Sequence, residues 1–448
     1  GSAFQDNGSD GYYWKATEST GTNAIMRRFS GADSRAYRVG IVKTAAKSVR
    51  CVKSYEVSGT FTIGGATPDF NTITEAVNYL KNGAVNGPVT FNIRTGTYNE
   101  QVIIPEILGA DMDSRITFQS ETGDSTDVVI TTDSTDYILK LDGSDHIRFE
   151  HLTFSSDHAE NYIEITNGSS HNIFNGISFE GTEQTQNLIL SPGETGSVDS
   201  ANIFTGNHFT GSHFGIRLFS DGNMYEKGNM IINNTFKNQR GTSIVLSRQE
   251  ELIFHNNNVQ NESAYALNAD YLNQATFTNN RIRSGGVYQC PVKFRANADT
   301  TVIANNFFIC RETTNGAVNL SGTRYLFVHN SVVSSGTGVN AALRIAADDK
   351  MICNNILVNE EQGNVLYLSP GFSNNVLDYN CVHVPAGGYI ASESYATLAE
   401  WQAASGQDAH SIAVKPLFAS ENDLHTFSRL LDSSGTPIDE VTTDIDGE

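Results

Sequence analysis

The sequence predicts an all-β fold, a right-handed parallel β-helix of about ten to twelve coils with short capping helices, from three observations. The first is a phrase of apolar residues, Asn, one further residue and another apolar one. It recurs as IFTGNHF (203–209), IINNTF (231–236), IFHNNNV (253–259), TFTNNRI (276–282), VIANNFF (302–308), FVHNSV (327–332), ICNNIL (352–357) and LDYNCV (377–382). Its Asn falls at 207, 234, 257, 280, 306, 330, 355 and 380, in steps of 23 to 27 residues, the range of a solenoid repeat. The second is the shape of each phrase: four to six alternating residues rich in Phe, Ile and Val suit a short strand and leave no room for a helix. The third is another apolar run about eight residues ahead of each phrase: YILKL (137–141), YIEI (162–165), NLIL (187–190), GIRL (215–218), SIVL (243–246), YALNA (265–269), VKF (292–294), AVNL (317–320), ALRI (342–345) and VLYL (365–368).

Upstream, IRFEHLTF (147–154) and IFNGISF (173–179) keep the apolar phase without the Asn and put Phe154 and Phe179 in line with Phe209. The Asn column has a structural reading. Asn tolerates the left-handed backbone of a tight bend, and its amide can bond the equivalent amide one coil away. Asn makes up 43 of the 448 residues, an excess the ladder accounts for in large part.

The formal charge of −21 is unevenly spread. Residues 1–55 carry nine Lys or Arg against four Asp or Glu, and the rest carries 20 against 46. An acidic body of this kind disfavours nucleic acid and anionic membrane surfaces as partners. No stretch approaches the length of a membrane span, and the chain opens Gly-Ser without a Met, so a missing signal peptide says nothing about export. The five Cys (51, 290, 310, 353, 381) are too scattered for a zinc motif. Cys290 with Cys310 and Cys353 with Cys381 could face each other on neighbouring coils or stay as buried thiols.

Along the chain, GYYWKATEST (11–20), RRFSG (27–31) and KSVRCVK (47–53) resemble the end of the Fibrobacter major paralogous domain, so 1–55 reads as a C-terminal fragment of such a domain. The resemblance implies a larger multidomain chain exported by a bacterium. A second domain spans 56–448. FTIGGATPDFNTITEAVNYLKNGAVNGPVTFNIRTGTYNEQVIIP (61–105) resembles the start of pectin-lyase-like β-helices, in which FNTITEAVNYL would form a cap at about 68–82. Asn71 and the Thr-rich turn could begin a helix with Ile73, Ala76, Val77 and Leu80 on its apolar face. The end of the chain, 385–448, reads as a closing segment. SYATLAEWQAAS (394–405) suits a short helix, and GTPIDE with DIDG resembles the closing turns of secreted bacterial β-helices. Ca2+ is the one cofactor the acidic DIDGE run brings to mind, although it lacks the spaced ligands of a calcium loop.

Pectin-lyase-like proteins carry function on the outer face of the strand preceding the repeat phrase. The Gln-Asp and Asp-Phe-Gly elements of methylesterases are missing here, as are the Asn-Thr-Asp, Gly-His-Gly and Arg-Ile-Lys elements of polygalacturonases. Alternation places Lys140, Glu164, Ile189, Arg217, Val245, Asn268, Lys293, Asn319, Arg344 and Tyr367 outward on that face, with Asp142, Arg248, Asp270 and Arg295 just beyond. SPGETGSVDS (191–200) and FSDGNMYEKG (219–228) could wall a groove beside them.

Three functions fit a secreted or cell-surface protein whose partner is polysaccharide. A lyase cleaving uronate glycans needs a cation on the carboxylate and a base for the C5 proton: Lys293 and Arg295 would be catalytic, with Arg217, Arg248, Asn268, Asp270, Arg344 and Tyr367 binding substrate. A glycoside hydrolase needs two carboxyls, and Asp142 with Glu164 is the candidate pair. A glycan-binding adhesin needs only an extended face. Seven of the eleven His fall in the first half of the solenoid, and His146 and His171 hold equivalent places on adjacent coils, as a stacked pair or a metal site.

Overall fold

A strand of three to six residues cannot bury its alternate Phe, Ile and Val alone, and this chain buries them by stacking such strands in parallel, coil upon coil. In the computed structural model, residues 55–447 are described apart from 223, 263–264, 286–289, 312, 370–373 and 393, together with the backbone of 10–18, 23–30 and 36–42. Those three segments are β1 (Asp10–Glu18), β2 (Asn23–Ser30) and β3 (Ala36–Val42), an antiparallel meander. The residues carrying the resemblance noted for 1–55, and Cys51, otherwise fall outside the described positions.

From Tyr55 the chain is a right-handed parallel β-helix with three stacks of strands. The first stack holds the apolar runs, from Val102–Pro105 through Tyr137–Asp142 to Tyr389–Ala391. The second holds the first half of each repeat phrase and counts thirteen strands, from Tyr55–Ile63 to Asn375–Asp378. The third runs from Gly96–Asn99 to Cys381–His383. There are about thirteen turns in all, and the first ones, through Tyr55–Ile63 and Gly83–Ile93, lack the Asn phrase that marks the later ones.

The core is a set of columns. Phe91, Phe118, Phe149, Phe174 and Phe204 stack at 4.8–5.6 Å in the second stack. Phe154, Phe179, Phe209 and Phe236 stack at 4.5–5.6 Å in the third, in the alignment the sequence predicts. The eight Asn form one buried ladder at the bend between these stacks. From Asn207 to Asn355, each backbone N–H and each Nδ2 donates to Oδ1 of the next Asn, at 2.8–3.0 and 2.9–3.2 Å. Each Nδ2 also donates to a second-stack carbonyl one coil back, as Asn234 does to Phe204 at 2.9 Å. The left-handed residue is the one before the ladder: Gly206, Asn233, Asn256, Asn279, Asn305, His329, Asn354 and Tyr379 all have positive φ. Two adjacent columns therefore divide the work of the bend, one turning the backbone and the other satisfying it. A shorter ladder, Asn172–Asn202–Asn229, does the same between the first and second stacks.

Both ends are covered. Helix α1 (Ile73–Asn82) buries Ile73, Ala76, Val77 and Leu80. Its N-cap is Thr72 rather than Asn71, and the Glu100 carboxylate accepts from the N–H groups of Ile73 and Thr74, both at 2.9 Å, where the helix dipole favours negative charge. Helix α2 (Leu398–Ser405) starts with a Thr397/Glu400 capping box. Its Trp401 Nε1 donates to Asp408 at 2.8 Å, and the other Asp408 oxygen accepts from Asn380, closing the ladder.

The remaining residues form a strap that runs back along the solenoid, starting with the hairpin Phe418–Ser420/Asp423–Thr426. Asn354 Nδ2 donates to the carbonyl of Thr436 and Asn279 Nδ2 to that of Asp444, both at 2.7 Å, and Asn305 bonds Thr443, so the left-handed column also holds the strap. Outward positions of the third stack are Ser178, His208, Thr235, Asn258 and Arg281 on earlier coils and Phe307 on the next. The change has a cause: Leu424 and Ile445 pack on Phe307, Ile309, Val333 and Val358, while Ile438 packs on Ala304, Leu326, Val328 and Cys353. The apolar residue within each of GTPIDE and DIDG is thus a plug. Asp446 pairs with Arg281 at 2.7 Å and His425 at 3.0 Å, which commits its carboxylate to the strap.

Candidate functional site

With the strap on the outer faces of the second and third stacks, the outer face of the first stack remains open. Strand register puts Lys140, Glu164, Leu190, Arg217, Val245, Asn268, Lys293, Asn319, Arg344 and Tyr367 in one outward column. One position corrects the sequence reading: Ile189 is in the core and Leu190 faces out, because NLIL is apolar at both parities and alternation cannot orient it. A second column holds Phe219, Ser247, Asp270, Arg295 and Ser321. Arg248 belongs to neither. It sits with positive φ at the bend after its strand.

Five cations of this face share one setting. The Arg217 guanidinium lies 4.4 Å from the Phe214 ring and 4.8 Å from Phe219, and donates to Asn187 at 3.3 Å. Its Nε is buried without a partner, and burial lowers its pKa. Lys293 Nζ lies 4.5 Å from the Tyr265 ring. Arg248 and Arg295 each lie 4.5 Å from Tyr271, whose hydroxyl accepts from Arg295 at 3.2 Å. Arg344 lies 4.1 Å from Tyr367 and donates to Asn315 Oδ1 at 2.6 Å. Among the described residues none of these five cations has a carboxylate partner. Asp270 stands opposite Arg295 in register without closing an ion pair. On the same face Lys140 pairs with Glu164 at 3.2 Å. Away from it Arg94, Arg148, Lys227, Arg281, Arg283, Arg311 and Arg324 pair with Asp or Glu at 2.7–3.6 Å, whereas Lys81, Arg115, Lys237, Arg240, Lys350, Lys415 and Arg429 close no such pair among the described residues.

Sequence reasoning missed the rings beneath these cations, although Tyr265 stands two residues before the strand Leu267–Leu272 and Tyr271 lies within it. It also missed Tyr225, in the 219–228 insertion, whose hydroxyl accepts from Asn297 at 2.8 Å. That bond carries the insertion from the coil of Arg217 to the coil of Lys293 and Arg295.

The structure does not bring Asp142 and Glu164 together as a free pair. Glu164 is opposite Lys140, accepts from it at 3.2 Å and takes a second bond from Asn161 at 2.9 Å. Burial opposes the Lys140 charge, but Glu164 outweighs it and the Lys140 pKa is raised. Asp142 is opposite Thr166 and accepts from Asn167 at 2.9 Å.

Other titratable groups lie inside. Lys350 is buried at the bend between the first and second stacks, in register with Tyr325, and burial lowers its pKa to about 8. Cys290, Cys310, Cys353 and Cys381 are free and buried, and burial raises each thiol. His146 and His171 stack at 4.8 Å with rings 20° from parallel, and burial, followed by the His171 charge, lowers His146 to about 4. Ring lone pairs lie in the ring planes, so stacked imidazoles direct them along parallel planes and not at one point.

A family model described as periplasmic copper-binding protein (NosD) matches residues 118–316. No curated protein matches the sequence. Among solved structures, a PL6 family alginate lyase is 11% identical with a TM-score of 0.48, over 85% of this chain and 57% of that one. An alginate lyase from Paenibacillus sp. is 14% identical with a TM-score of 0.41, over 70% and 97% of the two chains. A GH136 lacto-N-biosidase from Eubacterium ramulus is 10% identical with a TM-score of 0.44, over 80% and 67%. The chain thus spans little more than half the length of the first of these structures.

Proposed function

We propose that this protein acts on acidic polysaccharide at the open face of the first stack, outside the cell or at a bacterial surface, with Lys293 and Arg295 at the centre of the site. The observation that carries the reading is the contrast in cation pairing. On an acidic chain, the guanidinium groups of Arg248 and Arg295, which rest on Tyr271 and have no carboxylate, keep their charge available to an incoming anion. Coils rise by about 4.8 Å, so an extended glycan along the axis can meet these side chains in turn.

The chemistry this set supports is β-elimination. Arg295 and Arg248 bond a uronate carboxylate and make the C5 proton removable. Lys293, once it has released its own proton to solvent, takes the C5 proton, the C–H electrons form the C4–C5 double bond, and the C4–O glycosidic bond breaks to a leaving oxygen that takes a proton back from the Lys293 ammonium. A non-catalytic glycan-binding role draws on the same face, and the stacked rings favour it equally. The hydrolase reading loses support because Glu164 is tied to Lys140 and Asn161.

Copper, named in the NosD description, does not fit the residues present. Among the described residues no three His, Cys, Asp or Glu side chains gather as a metal site, and the one stacked His pair does not converge.

The test is ultraviolet absorbance of unsaturated product from a panel of uronate polysaccharides, with and without Ca2+, alongside retention on the same immobilised glycans. A lyase gives a signal that Lys293→Ala abolishes. Retention without product, weakened by Lys293→Ala and by salt, supports a binder. Neither signal on any glycan ends the proposal.

A further inference from the structure

Three side chains that this reading does not use meet where the two insertions come together. Ser191 opens the 191–200 insertion, Asp199 lies near its end, and Glu226 lies near the end of the 219–228 insertion. Both acids are buried. Ser191 Oγ lies 2.8 Å from Asp199 Oδ2 and 2.9 Å from Glu226 Oε1. A hydroxyl has one proton, so it donates to one carboxyl and the second short contact needs a proton held by the other acid. The rest of the setting agrees. Asn229 and Gln249 donate to Glu226 Oε2 at 3.0 and 2.8 Å, which leaves Glu226 Oε1 to share the proton at Ser191.

We propose that Ser191, Asp199 and Glu226 share a proton and form a pH-sensitive latch that welds the two insertions into one wall and holds Tyr225 on Asn297, two residues beyond Arg295. Tyr225 precedes Glu226 in the chain and bonds Asn297, and Gly196 N–H donates to Asp221 at 3.0 Å, so a second bond joins the two insertions beside the latch.

The charges that face the latch are all negative: Glu194 on Asp199, and Asp199 and Glu226 on each other. Lys227 next door points to Glu250 and Glu251 instead. Against these act the Ser191 hydroxyl, the N–H groups of Gly168 and Ser169, and the Asn229 and Gln249 amides, which favour the ionised forms. Burial outweighs them. Asp199 is pushed up to about 7, and Glu226 well above the usual carboxylate range by burial and then by Asp199. Groups that hold protons more tightly when folded stabilise the fold at acid pH. That stabilisation falls as pH rises from the ordinary carboxylate range toward about 7, and the wall loosens.

Amide hydrogen exchange tests the latch without substrate, so its outcome is independent of the proposed activity. Protection of 192–200 and 220–228, referenced to the ladder segment 254–259, is expected to fall by up to about tenfold per pH unit between about pH 5 and 8. Asp199→Asn and Glu226→Gln should each flatten that slope, and Ser191→Ala, which leaves two acids facing directly, should move the opening to lower pH. A wild-type ratio that does not change with pH, or a slope that survives in both amide variants, overturns the proposal.

Discussion

Two flanks of the same solenoid solve the same surface problem in opposite ways. On the strap side, outward positions are apolar where Leu424, Ile438 and Ile445 cover them, and the cations beside them, Arg281, Arg283 and Arg311, pair with carboxylates. On the first-stack side no strap covers the strands among the described residues, and Arg217, Arg248, Lys293, Arg295 and Arg344 lie on rings without a carboxylate partner, Lys140 alone pairing with Glu164. The backbone is alike on both flanks, so the difference lies in what each side chain has been given to bind. One flank is finished by its own chain, and the other offers charge to something else.

This contrast sets expectations for mutation. The largest effect belongs to the spine the two flanks share. Asn306→Leu removes the acceptor of two buried Asn280 donors and should cost about 3–5 kcal/mol in denaturant unfolding. Next is the covered flank, where Ile438→Asp puts a charge into the Val328 cluster and should cost about 3 kcal/mol with retention on acidic glycan unchanged. The smallest effect on stability comes from comparing cations. Arg281→Ala breaks an exposed pair with Asp446 and should cost less than about 1 kcal/mol, again with retention unchanged. Arg344→Ala should weaken retention instead. If Arg281→Ala lowered retention as much as Arg344→Ala does, the division between flanks would fail.

Much of this was legible in the sequence because a solenoid repeats its local physics. The Asn ladder, the Phe columns and the face carrying Lys293, Arg295 and Arg344 all follow from alternation and period. Legibility ended where one dimension no longer decided the answer. NLIL could not be oriented, since both its parities are apolar. The first coils were hidden because Gly83–Ile93 and Ile116–Ser120 bend without the Asn phrase. The strap was invisible because its partners lie far away in sequence, as Asp444 does from Asn279, although apolar residues at Phe307, Ile309, Val333 and Val358 were its trace. At the proposed site the charges could be read but not their seats, because whether Tyr271 serves Arg248, Arg295 or both depends on χ angles and not on spacing.

The strap also sets an order in time. A chain made from its N-terminus can wind its coils as they emerge, each resting on the one before. The flank around Phe307, Val328 and Val358 cannot be sealed then, because Leu424, Ile438 and Ile445 have yet to be synthesised. Until they arrive, the growing coil carries an oily seam along two of its sides, and the residues that close it are also those that report the solenoid has been wound to its full height.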